Sequence, residues 1–299
     1  MENLTVFTTI DHNYADSSLI SLHSFRKYHE HSVKVYCLDF TDKEFSRYKS
    51  NTSKIGNITP IDWKMKRVDD SLCDWNEFYS DIFQQISAKF DVLNDIHTEW
   101  IWYFDTDTIF LNSMNGMLKE PNELNGVCLN KTQSDINCGL FLIKNRPIDW
   151  LKEYLEFCKI HKFDHLSLDE GFLGELYSGK IKLLPKEYNL NGYYPVTEST
   201  KMVHYMGGIK PFCITKDYNP ICIDFTTHFN LWYDYYDSVK SQFTLSDEFV
   251  REVDRIRNTK FDVYDIANSH YATRMFLSIG EAGVKLVMNK MISDYKKDK

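Results

Sequence analysis

No apolar run in this 299-residue chain is long enough to span a bilayer, so no transmembrane helix is expected. The first residues, Met1-Glu2-Asn3-Leu4-Thr5-Val6-Phe7, lack the basic start and long apolar core of a secretory leader and enter a strand at once. Cysteine forms no CxxC pair and no Cys/His finger spacing. The seven cysteines are an odd number, which predicts a reduced, intracellular protein with buried thiols. Without a leader, the Asn-x-Ser/Thr matches at Asn3, Asn51, Asn57 and Asn130 read as chance, and the expected location is the cytoplasm. Also lacking is an excess of positive charge. The formal net charge of −8 argues against a general nucleic-acid binder, while leaving room for a nucleotide held by local cations and a metal. Internal repeats, low-complexity tracts and Pro/Ser-rich linkers are absent, so the length fits one large domain with a small appendage.

What is present is ample material for a core. Apolar residues make up 43% of the chain and aromatics 15%. Strand-like and helix-like segments alternate over the first two thirds. Strands are predicted at 4–10, 33–40, 58–63, 100–104, 139–144, 181–184 and 202–204. Helices are predicted at 16–29, 42–49, 76–94, 147–161 (with Pro147 at its start) and 169–178. Alternating βα units of this length predict an α/β fold with a mostly parallel central sheet flanked by helices. From about Thr226 the pattern becomes helical, at 247–257 and 267–294. A catalytic domain over 1–225 and a helical C-terminal appendage over 226–299 packed on it are therefore expected.

The most informative stretch is Trp102-Tyr103-Phe104-Asp105-Thr106-Asp107-Thr108-Ile109-Phe110. Alternate strand residues share a face, so Asp105 and Asp107 are expected to point the same way at a strand's carboxyl end, where open α/β sheets bind ligands. Two carboxylates held side by side repel each other, and a divalent cation or an acid/base role would justify them. An acidic surface turn is the plainer reading. A second stretch, Val203-His204-Tyr205-Met206-Gly207-Gly208-Ile209-Lys210-Pro211-Phe212, sets a histidine at a strand end, two glycines and a lysine before proline within seven residues. Imidazole is a good divalent-metal ligand, paired glycines let a backbone approach a phosphate, and a lysine supplies a counter-charge.

These motifs, with Asn137-Cys138-Gly139 and Asp169-Glu170 between them, occur in the order and spacing of the family 8 glycosyltransferases, the group of glycogenin and the bacterial lipooligosaccharide galactosyltransferases. The resemblance covers residues 4 to about 215. It includes Thr8-Thr9-Ile10-Asp11-His12-Asn13-Tyr14, which is similar to that family's opening strand and nucleotide loop. It implies a GT-A fold, a UDP-sugar donor, a manganese ion (magnesium as the alternative), a glycan or protein acceptor, and transfer of a hexose or N-acetylhexosamine with retention. It further implies Asp105, Asp107 and His204 as metal ligands, and Gly207 and Lys210 on the diphosphate. Asp11 and Tyr14 are placed on the uracil or ribose beside Thr8 and Ile10, and Lys89 and Thr106 near the donor. Asn137, Asp169 and Glu170 face the transferred sugar. The family usually has Gln where this chain has Glu170, and Trp where it has Phe212. Glu170 reads as a sugar-hydroxyl ligand. A covalent nucleophile and a solvated carboxylate at a helix start are the alternatives.

Two rival functions share the motif. Asp105-Thr106-Asp107-Thr108 also fits the D-x-D-x-T nucleophile of haloacid-dehalogenase-like phosphatases, but it starts at residue 105 and no Asp-Asp strand follows it. A non-catalytic nucleotide-sugar binding scaffold is the other rival. The aromatic run Phe229–Tyr236 reads as core or subunit contact ahead of acceptor stacking. The basic-leaning helix at 267–292 reads as ordinary packing, with an oligomer or peripheral membrane contact as the alternative.

Overall fold

The computed structural model of the protein describes residues 3–69, 77–128, 136–161, 168–191, 194–206, 209–214 and 225–259. Strands and helices alternate at first as β1 (Leu4–Ile10), α1 (Ala15–Arg26), β2 (Val33–Leu38), α2 (Asp42–Thr52), β3 (Ile58–Trp63), α3 (Glu77–Leu93) and β4 (Trp100–Phe104). There follow β5 (Thr108–Phe110), β6 (Leu124–Cys128), β7 (Ile136–Lys144), α4 (Trp150–Ile160), α5 (Leu168–Leu176) and β8 (Ile181–Leu184). The described chain continues with β9 (Leu190–Asn191), β10 (Met202–His204), β11 (Ile209–Lys210), β12 (Cys213–Ile214), α6 (Phe225–Val239) and α7 (Asp247–Arg257).

Seven strands form the central sheet in the order β3-β2-β1-β4-β7-β6-β8. All run parallel except β7, which is antiparallel to both of its neighbours, β4 and β6. The apolar runs are continuous because both faces are covered. On β4, Trp102 and Phe104 join the core that also holds α1 residues Leu19 and Phe25, while Ile101 and Tyr103 join the opposite core with Phe90 and Tyr154. β7 divides in the same way, Leu140 and Leu142 to one side and Phe141 and Ile143 to the other. The carboxyl ends of β1, β2 and β4 and the amino end of β7 therefore lie along one edge of the sheet.

A smaller sheet, β5-β10-β9, sits beyond that edge. Its position depends on α1, whose buried face carries serines among its bulky apolar groups. Ser21 Oγ lies 3.0 Å from Thr108 Oγ1, and Ser24 Oγ accepts the Phe110 amide N–H at 3.0 Å. Small hydroxyls let β5 approach the helix and satisfy its polar groups.

Several boundaries differ from expectation, with local causes. α1 stops at Arg26 instead of His29, because the Arg26 guanidinium turns back onto the carbonyls of His29 (2.5 Å) and His31 (3.2 Å). α4 starts at Trp150, not at Pro147, since Asp149 is the N-cap and accepts the Lys152 amide N–H at 3.1 Å. β7 starts at Ile136 and takes in Asn137. β6 was not expected, because its Asn125-Gly126 pair looks like a turn signal. In the fold Asn125 is buried and satisfied, donating to the carbonyls of Asn122 (2.7 Å) and Leu142 (3.2 Å).

The helices α6 and α7 pack on the α1 side of the sheet. Phe229, Trp232, Tyr233 and Tyr236 are buried there, with the Trp232 and Tyr236 rings stacked at 5.3 Å, so this aromatic run is core. Ser246, the α7 N-cap, donates its N–H (3.0 Å) and hydroxyl (2.6 Å) to Asp16 of α1, which also pairs with Arg47. The expected helix at 267–294 lies outside the described residues. Among the described residues no helix is long and apolar enough to cross a membrane.

Candidate active site

Asp105 and Asp107 do not ride on a strand. They flank Thr106 in the three-residue connection between β4 and β5, so shared strand pleating is not what brings them together. The turn does it. The Thr108 hydroxyl donates to the Asp105 carbonyl at 2.7 Å, and the Asp105 amide N–H donates to the Gly139 carbonyl at 2.9 Å. Antiparallel pairing of β10 with β5 sets His204 opposite Thr108, and the Tyr205 N–H donates to the Asp107 carbonyl at 2.8 Å. His204 Nε2 thereby comes 3.1 Å from Asp107 Oδ1 and 3.8 Å from Asp105 Oδ2. One ligand atom from each of the three residues falls within 4.8 Å of the others.

Lys210, on the β11–β12 hairpin, forms a buried ion pair with Asp107 Oδ2, and its ammonium lies 5.3 Å over the Tyr14 ring. Tyr14 in turn meets Phe212 edge-on at 5.9 Å. Behind the turn, Tyr103 donates its hydroxyl to Asp105 Oδ1, and Lys89 sits 4.4 Å over the Tyr103 ring while pairing with Asp169 at 2.8 Å.

Charge is balanced by these pairings. Burial raises the Asp105 carboxyl, Lys89 opposes the rise and Asp107 adds to it, leaving a net upward shift. Burial also acts to raise Asp107, but Lys210 and His204 outweigh it and hold that carboxyl well below the usual range. Burial alone would lower the ammonium groups. Asp107 reverses this for Lys210 and Asp169 does so for Lys89, and both stay firmly protonated. Burial pushes the Tyr14 phenol up to about 12, against the pull of Lys210.

A cleft of about 350 Å³ opens along the sheet edge. Of the residues singled out in the sequence, Ile10, Asp11, Tyr14, Lys89, Asp105, Thr106, Asp107, Asn137, Asp169, Glu170, His204 and Lys210 all line it. Thr8 does not; it is fully buried in β1, one position behind Thr9, which does. Gly207 lies outside the described residues. Asp11 serves partly as a cap, its Oδ1 accepting the N–H groups of Asn13 (2.9 Å) and Tyr14 (3.2 Å). Its Oδ2 accepts from Gln85 at 2.6 Å. Gln85, Tyr103, Asn189 and Met206 escaped the sequence reading. Gln85 stands one helical turn before Lys89, so helical spacing alone could have found it, and Tyr103 lies two residues before Asp105.

The donor set fits a divalent cation. Asp107 Oδ1 is buried and has no hydrogen-bond donor, although His204 Nε2 is near it. Carboxylate oxygen and imidazole nitrogen are a suitable set for a first-row divalent ion.

Comparison with solved structures finds this architecture in the galactosyltransferase LgtC, solved in complex with donor and acceptor sugar analogues. That match has 17% identity over 83% of this chain and 99% of LgtC, with a TM-score of 0.64. The glycosyltransferase GlyE of Streptococcus pneumoniae matches at 16% identity over 81% of this chain and 66% of GlyE, with a TM-score of 0.57. The bifunctional glycosyltransferase WbbM matches at 13% identity over 81% of this chain and 52% of WbbM, with a TM-score of 0.55. No family model matches the sequence, and no curated protein matches it. The chain has the GT-A fold, a seven-stranded mostly parallel sheet flanked by helices.

Proposed function

We propose that the chain is a glycosyltransferase that moves a hexose or N-acetylhexosamine from a UDP-sugar to a glycan or protein acceptor, with retention and with manganese. The observation that carries this reading is the cluster of Asp105, Asp107 and His204 at the floor of the cleft, with a buried carboxylate oxygen lacking any donor. The GT-A fold supports it, since LgtC is a galactosyltransferase and GlyE a glycosyltransferase.

Asp105, Asp107 and His204 would hold the metal, which would supply positive charge beside the departing diphosphate. Lys210 adds a fixed positive charge beside Asp107. Helix α3 forms one wall of the cleft, with Gln85 against Asp11 and Lys89 against Asp169. The Asp11–Tyr14 turn takes the nucleoside, with Tyr14 offering its ring. The Lys89–Asp169 end, with Glu170 beside it, takes the sugar hydroxyls. Glu170 lines the cleft beside Asp169 and is the carboxylate to examine for contact with the reacting sugar.

A phosphatase with Asp105 as nucleophile is not favoured. The Asp105 carboxylate accepts the Tyr103 hydroxyl and Asp107 is tied to Lys210, an arrangement suited to fixed ligands more than to covalent attack. A donor-hydrolysis screen of nucleotide sugars with manganese tests the proposal. Turnover of a UDP-sugar is expected, and it is expected to vanish with chelator and in Asp107→Asn. Undiminished turnover in chelator would remove the metal from the reading. Cleavage of simple phosphomonoesters without sugar-nucleotide turnover would favour the phosphatase.

A further inference from the structure

His204 is held by a chain of amides that begins at a backbone N–H and so leaves no freedom of orientation. The Gly139 amide N–H donates to the side-chain carbonyl of Asn137, Oδ1, at 2.9 Å. That contact fixes which way the Asn137 amide points, because the reverse orientation would oppose two donors. Asn137 Oδ1 also accepts Nδ2 of Asn189 at 2.6 Å, which fixes the second amide in turn. Asn189 must then present its oxygen to His204 Nδ1, 3.1 Å away. An oxygen can only accept, so Nδ1 carries the proton. In the neutral ring Nε2 is left with a lone pair, 3.1 Å from Asp107 Oδ1. Asn137, Asn189 and His204 are all at most 5% exposed, so water offers no easy substitute for these bonds.

We propose that Asn137 and Asn189 are positioning residues that lock His204 in the Nδ1–H tautomer and so keep Nε2 open to the metal. The inference rests on the metal reading given above only for its consequence; the tautomer itself is a property of the metal-free chain. With the ring neutral, Nε2 and Asp107 Oδ1, 3.1 Å apart, offer two lone-pair donors to one cation. In the opposite tautomer Nε2 would carry the proton and have no lone pair for a cation. The strand β7 therefore sets a protonation pattern 65 residues further along, at His204, through two side chains and no covalent link. Asn137, which the family resemblance places on the transferred sugar, has its oxygen turned away to this task, and its Nδ2 meets Met206 Sδ at 3.3 Å.

The test is made on the metal-free protein by long-range 1H–15N correlation of the imidazole nitrogens, with the His204 signals identified by their loss in His204→Gln. At a pH where the ring is neutral, the parent is expected to show a protonated Nδ1 and a pyridine-like Nε2. Asn137→Ala frees Asn189 to rotate and is expected to mix the tautomers. It is expected to weaken manganese binding, followed by the free-ion paramagnetic resonance signal, about tenfold to a hundredfold. Asn189→Ala is expected to behave likewise. Asn137→Asp keeps the acceptor and is expected to restore both the single tautomer and the affinity. Circular dichroism separates these effects from unfolding, and the rescue by Asn137→Asp guards against a merely structural role. A parent spectrum with an unprotonated Nδ1, or an Asn137→Ala variant with unchanged tautomer, overturns the proposal. A parent that binds no manganese but shows the single Nδ1–H tautomer sinks the metal reading and upholds the relay.

Discussion

Gly139 on β7 touches the edge of the His204 ring so closely that a methyl group at position 139 would lie 2.1 Å from His204 Cε1 and 2.6 Å from Nδ1. The glycine is demanded by a neighbour's approach and not by backbone conformation. Gly139→Ala is therefore expected to push the imidazole off its place between Asn189 and Asp107. Manganese affinity is expected to fall at least tenfold, in line with losses on disturbing the supports of a metal ligand. The overall fold is expected to survive, as the clashes are with two side chains, His204 and Asn137 (Oδ1 at 2.9 Å), and not with backbone. Calorimetric titration of manganese alongside thermal melting checks this; unchanged affinity would show that His204 is not a ligand.

Lys210 supplies charge where the diphosphate is expected, from a hairpin outside the central sheet. Lys210→Ala is expected to cost ~2–4 kcal/mol of transition-state stabilisation, the loss typical of one preorganised group. The loss is expected in the turnover rate. If donor binding weakens and turnover holds, Lys210 provides uniform binding instead. The ion pair with Asp107 adds a second consequence. Without Lys210, Asp107 loses the partner that lowers it most and its carboxyl is expected to rise toward the usual range.

Much of the site was legible because its chemistry comes in short strings. Asp105-Thr106-Asp107 and His204 through Lys210 each place telling residue types within a few positions, and the α/β alternation puts a strand end beneath them. Their convergence was legible for the wrong local reason, since a turn and not strand pleating aligns the aspartates. Asn189 was not legible. Its role depends on meeting Asn137, 52 residues earlier, and no local pattern around Leu190 announces it. β6 was hidden by Asn125-Gly126, a pair whose turn preference is overridden once Asn125 finds buried partners on the chain. Thr8 was drawn into the site by its neighbours in the opening strand, though pleating turns it away from the cleft that Thr9 reaches.

His29 gives the fold an acid-sensitive point remote from the cleft. It is buried, with the Phe25 ring at 4.6 Å and Trp102 at 5.1 Å, and its Nε2 accepts the Met114 amide N–H at 3.3 Å. Burial, with His31 and Arg26 adding to it, pushes its pKa down from 6.5 to about 4. The folded value is the depressed one, so the contribution to stability is complete above pH 6.5. It declines as the unfolded chain takes up a proton below that, and is gone by about pH 4. The difference corresponds to about 3 kcal/mol at most. His29→Gln keeps an acceptor for Met114 but does not titrate. Urea unfolding is expected to show a shallower loss of stability between pH 6.5 and 4 in the variant than in the parent. Equal slopes would clear His29 of the effect.

Glu170 is the residue at which this chain departs from the glutamine usual in the family it resembles. It stands in the first turn of α5, directly after Asp169, whose carboxylate is paired with Lys89 at 2.8 Å. Both carboxylates line the cleft. If Glu170 binds a sugar hydroxyl, Glu170→Gln retains a carbonyl acceptor of the same length and is expected to keep most of the transfer activity. If it attacks the anomeric carbon, the same change removes the attacking anion and costs several orders of magnitude. The substitution is nearly isosteric, so folding and donor affinity are expected to survive in either case. Retained activity is the expected result, measured as sugar transfer and donor hydrolysis at saturating donor. A folded Glu170→Gln protein that binds donor normally but does not turn over, or a sugar adduct found on Glu170 by mass spectrometry of the parent, would assign the residue as the nucleophile.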